Sequence, residues 1–183
     1  MEIRISTKQI LNLLNILSWI IFLGLCIEAG GIIFNTVYAL YKPVVATQFW
    51  NDADLSELYA YDKGHFIAQA VLMSIVADMK ALIFYQIVNL FYNNKLNMVR
   101  PFNTELTTMV IKIAWLCLGA GLFSLWGIRY AAWIETQGVV MPDIHYLRIG
   151  GADVWLFMAV VLFVIGQIFK KGTELQTEND LTI

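Results

Sequence analysis

Four apolar stretches, residues 10–38, 66–92, 106–133 and 152–169, constrain this chain more than any other feature. A helix rises 1.5 Å per residue, so about 20 residues cross a hydrocarbon core of roughly 30 Å, and each stretch is long enough to span one. The fourth is the shortest; the others must tilt or extend beyond the bilayer. Apolar residues make up 59% of the chain and charged residues 14%, proportions far from those of a soluble domain. The expected fold is therefore all-α: one integral-membrane domain built as a four-helix bundle, with no room for a second, soluble domain.

Several function classes fall away on composition. Net charge is −2 and no basic run stands clear of the apolar segments, so no direct nucleic-acid binding is expected. Cys26 and Cys117 both sit inside apolar segments and read as packing thiols rather than a disulfide or a zinc site. His65 and His145 lie near Asp62 and Asp143, yet no metal-ligand spacing joins them, so no metal and no cofactor is expected. No nucleophile elbow, phosphate-binding loop or zincin motif is present, and the chain is not read as an enzyme. Arg4 and Lys8 precede the first apolar run as in a signal peptide, but that run is too long for one and ends in no cleavage pattern. It is read as a retained first helix.

An even number of crossings places both termini on one side. Arg4, Lys8, Lys95, Arg100, Lys170 and Lys171 flank the spans there, whereas the opposite side mixes Lys42, Lys63, Arg129 and Arg148 with seven acids. This bias predicts cytoplasmic termini. On the outer side, the connection after the first span opens with Pro43 and sets Phe49, Trp50, Leu55, Leu58 and Tyr59 among acids, the pattern of a short interfacial helix. The second outer connection, TQGVVMPDIHYLRIGGAD, is rich in turn residues and is expected to fold back over the bundle mouth. On the inner side Pro101 forces an extended residue before it, and Asn103 or Thr104 is placed to cap the third helix.

Charges inside the spans carry the sharpest functional signal, because each costs at least about 2.5–3.5 kcal/mol unless paired or hydrated. Glu28, Asp78, Lys80 and Lys112 qualify. Asp78 and Lys80 point to different faces of one helix, so Asp78 needs a partner elsewhere, and Lys112 on the antiparallel third helix is the candidate. One reading is a polar site that binds a small ligand, ion or proton; the other is a structural ion pair with Lys80 reaching toward the interface. Glycines at 24, 30, 31, 119, 121 and 127, with Ala120, predict close helix–helix approach within the chain.

The chain closes on FKKGTELQTENDLTI. Lys170 and Lys171 suit a helix C-terminus at the interface, and Gly172 can end the helix in a left-handed conformation, leaving residues 172–183 as a cytoplasmic tail. The stretch RPFNTELTTMVIKIAWLCLGAGLF, together with this ending, resembles the domain-of-unknown-function 2975 family of small bacterial integral membrane proteins. The resemblance covers most of the chain and is most specific in the tail. It implies a four-helix protein of the bacterial cytoplasmic membrane with no assigned activity. Members are often encoded beside a small helix-turn-helix regulator, which implies such a protein as a cytoplasmic partner. Arg100, Pro101, Phe102, Glu105, Leu175, Glu178, Asp180, Leu181 and Ile183 are then the expected docking residues. Two functions stay open: a regulatory or interaction protein that docks a partner at its inner face, and a small transporter or channel component lined by the intramembrane charges.

Overall fold

The computed structural model describes residues 7–92 and 103–180. Four long helices dominate it: α1 (Thr7–Tyr41), then, after a short helix α2 (Ser56–Tyr61), α3 (Lys63–Tyr92), α4 (Thr104–Thr136) and α5 (Ala152–Asp180). Each is long and apolar enough to cross a membrane, and the fold is that of an all-α multi-pass membrane protein. Each also overruns the stretch predicted for it, since polar residues continue a helix wherever capping and packing allow. At 35 residues, α1 runs for roughly 52 Å, well beyond one hydrocarbon core.

The helices pack in chain order: α1 against α3, α3 against α4, α4 against α5. Among the described residues α1 and α5 make no helix–helix contact, so the bundle has one open seam. Local chemistry fixes the helix starts. The Asp62 carboxylate accepts from the His65 backbone N–H at 2.9 Å ahead of α3, and the Asn103 side chain accepts from the Leu106 N–H at 2.7 Å, the cap expected of Asn103.

The connection between α1 and α3 is a packed outer cap. It runs through a 3-10 turn (Pro43–Gln48) and α2, and it buries Phe49, Leu55 and Leu58 completely and Tyr59 almost so. Phe49 and Tyr59 meet the Phe66 ring edge-on at 5.6 and 5.1 Å, and the Asn35 amide donates to the Phe49 carbonyl. The Trp50 indole lies directly on Gly31, where any β-carbon would overlap it. Gly121 similarly admits Leu156 of α5, but Gly24 and Gly30 face open space and take no part in the close packing expected of them.

The connection between α4 and α5 goes further than folding over the mouth. Ile149 packs against Gly127, nine residues before the end of α4, so the chain descends roughly 13 Å into the bundle before α5 starts. Leu147 and Ile149 are fully buried there. Because α5 begins so deep, its other end projects past its apolar stretch. The predicted stop at Gly172 does not occur, and the helix continues to Asp180. Helix-forming Glu174, Leu175 and Gln176, a Lys171–Glu174 bridge at 3.2 Å and a Thr107–Thr173 hydroxyl contact at 3.4 Å support that last part.

Candidate functional site

The intramembrane charges separate into three places. Asp78 lies on the face of α3 turned toward α1, exposed in an open apolar groove with Phe22, Cys26, Leu82 and Tyr85. Lys112 is exposed near the start of α4, in a groove of about 220 Å³ with Gln86, Asn89, Thr104, Glu105 and Thr108. The expected Asp78–Lys112 pair does not form. Between described residues the one salt bridge within 4.0 Å is Lys171–Glu174. Helix geometry explains the miss: equal depth on antiparallel helices does not make two side chains share a face, and these point into different seams.

Glu28 lies within electrostatic range of Lys80, and the connection before α5 brings Arg148 beside Lys80 as well. The Lys80 ammonium does not reach for the interface. It donates to the Arg148 carbonyl at 2.7 Å, and both Glu28 of α1 and the Arg148 guanidinium lie within electrostatic range of it. Lys80 stands just past the middle of the 30-residue α3, and Glu28, Lys80 and Arg148 are each half-buried.

Magnitudes distinguish the two cations. A lysine at membrane mid-depth costs about 2.5–3.5 kcal/mol on insertion scales, and a hydrogen bond from a charged donor offsets about 1.5–3 kcal/mol. The Arg148 carbonyl thus roughly compensates Lys80. No such bond reaches the Nε of the half-buried Arg148 guanidinium, which is shielded from solvent and has no hydrogen-bond partner. Arg148 also holds φ at +58°, a left-handed conformation costing a non-glycine residue about 1–2 kcal/mol. The fully buried Leu147 and Ile149 on either side hold it there. Two other polar side chains that sequence reasoning passed over, Gln69 and Ser124, are fully buried without a hydrogen-bond partner. Gln69 lies three turns from Lys80 on the same face of α3, a spacing of eleven that was open to detection in the sequence.

At the terminal end of the bundle the first turns of α4 and the extension of α5 line a groove of about 400 Å³. Its walls are Thr104 and Thr107 from α4, with Lys170, Thr173, Glu174, Thr177 and Glu178 from α5. Of the expected docking residues, Glu105 sits on the other side of the α4 start, Glu178 lines the groove, and Leu175 is 55% exposed. Asp180 is the last residue of α5, while Arg100, Pro101, Phe102, Leu181 and Ile183 lie outside the described residues.

No curated protein and no solved structure matches the chain. A family model does, over residues 50–183, a range that takes in the outer cap from Trp50 onward and α2 to α5 but leaves out α1. With most of its length matched in this way, the chain belongs to the family described as protein of unknown function (DUF2975).

Proposed function

We propose that this is a membrane-embedded interaction protein that docks a cytoplasmic partner on the surface built by the start of α4 and the extension of α5. The observation that carries the reading is the continuation of α5 as a helix beyond its apolar stretch, through TELQTEND. In a chain so rich in apolar residues, that segment has no role in spanning. It contacts α4 along one side only, where Thr173 meets Thr107, and leaves Leu175 exposed among acids and hydroxyls. A partly apolar helix face beside a groove whose lining is mostly the apolar parts of Thr, Lys and Glu side chains suits helix-in-groove or surface recognition better than a solvated tail does. The basic flanks of the spans favour the cytoplasm as the compartment. The family resemblance supplies a small helix-turn-helix regulator as the expected partner.

The test is crosslinking and co-purification from native membranes, with the full chain, a chain stopped after Lys171, and Gly172→Pro. The proline variant keeps residues 173–183 unchanged but breaks the helix, at a cost of about 3 kcal/mol locally. Docking predicts that both variants lose the partner. A transport path lined by Asp78, Lys112 and Glu28 has less support, because Asp78 and Lys112 stand in separate grooves.

A further inference from the structure

We propose that Lys80 and Arg148 form a binding site for a small carboxylate monoanion inside the bundle, with Glu28 as its electrostatic counterweight. The inference does not depend on partner docking. Three features converge on it. The first is an unmatched donor: the Arg148 Nε–H is shielded from solvent with no hydrogen-bond partner, at the root of a half-buried guanidinium whose fork suits a carboxylate. A native interior rarely leaves such a group unmatched unless something else matches it. The second is charge. Lys80 lies within electrostatic range of one carboxylate, Glu28, and of a second cation, Arg148, and no ion pair within 4.0 Å joins Glu28 to either cation. One added negative charge would neutralise the cluster, and a dianion would overshoot it. The third is access. Glu28 stands on α1 and Arg148 leads directly into α5, the two helices that leave the seam between them open.

The backbone shows how the site is built. Gly150 and Gly151, the latter at φ +80°, let the chain turn from Arg148 into α5. The buried Leu147 and Ile149 pin the segment, and Lys80 clamps the Arg148 carbonyl. With the Arg148 backbone fixed beside the Lys80 ammonium, the guanidinium fork can take a carboxylate while the remaining Lys80 protons supply a second contact.

The experiment uses the purified full chain in nanodiscs and follows thermal unfolding while sodium acetate, then sodium benzoate, replaces sodium chloride at constant ionic strength. A saturable rise in the midpoint is expected with the carboxylates beyond that in chloride. Arg148→Gln should weaken apparent affinity at least about tenfold, the loss expected for a charge-assisted hydrogen bond. Arg148→Lys should weaken it too, since an ammonium has no fork. Glu28→Gln should tighten it severalfold by removing the competing negative charge. A merely structural Glu28–Lys80 attraction predicts the opposite sign or no change. No saturable carboxylate effect, full affinity in both Arg148 variants, or unchanged or weaker binding in Glu28→Gln would overturn the site. If Arg148→Gln does not fold, Glu28→Gln decides the matter alone.

Discussion

Gly31→Ala is a change of one carbon whose sign follows from two opposing terms. Alanine in place of glycine inside a helix is worth up to about 1 kcal/mol in backbone propensity. Against that, the new β-carbon would occupy the space held by the Trp50 ring, and an indole has no flexible end that can move aside. Truncating a large aromatic in a core costs about 3–5 kcal/mol, so displacing the half-buried Trp50 should cost about 2–3 kcal/mol. The steric term wins, for a net loss of about 1–2 kcal/mol. Gly24→Ala and Gly30→Ala are internal controls on the same helix: nothing lies within 4 Å of either added carbon, so both should be neutral or stabilising. In a Trp50→Ala background, Gly31→Ala should change sign, because the clash is gone and the propensity gain remains. The assay is reversible unfolding in mixed micelles followed by circular dichroism. If Gly31→Ala matches Gly30→Ala, or keeps its penalty without Trp50, the outer cap is not seated on α1 as described.

Two further outcomes test other parts of the structure. Asp78 presents an unpaired carboxylate beside an apolar groove, so Asp78→Asn should leave stability in a bilayer unchanged or raise it by up to about 2 kcal/mol, whereas a structural Asp78–Lys112 pair would make the change destabilising. Asp62 caps α3 from outside the span, and the hydrogen bond from the His65 N–H, opposed by desolvation and helped by the Gly64 N–H, holds its carboxyl below the ordinary range. Its contribution is therefore present above the unfolded value near pH 4 and is lost as pH falls through the lower folded value. The stability gap between the native chain and Asp62→Ala should be constant from about pH 5 to 8 and close below about pH 4, while the gap between Asp62→Asn and Asp62→Ala should not vary over that range.

The long apolar helices, the Asn103 cap and the short helix after the first of them were legible in the sequence because each rests on local signals: apolar run length, an Asn before a helix, aromatic residues interleaved with acids. The interior cluster was only half legible. Glu28 and Lys80 stand out as charges in apolar runs, but Arg148 reads as a loop residue, and only the descent of residues 138–151 into the bundle makes it an interior one. Periodicity cannot show that descent, since the segment has none. The pairing of Asp78 with Lys112 failed for a related reason: depth can be read from residue counts, whereas helix rotation depends on packing. Gly172 misled in the opposite direction. A glycine after two lysines is a common helix end, yet contact with α4 and good helix formers beyond it carry the helix on.

Whether the α5 extension is a docking element is decided by recovery of a cytoplasmic partner from native membranes. The full chain and the chain stopped after Lys171, matched for expression and membrane insertion, would be crosslinked and compared by quantitative mass spectrometry. The account predicts a partner, foremost a small DNA-binding protein, enriched with the full chain and absent from both the truncation and Gly172→Pro. Equal recovery of the same partners by full-length and truncated chains, or recovery of none by either, would contradict it.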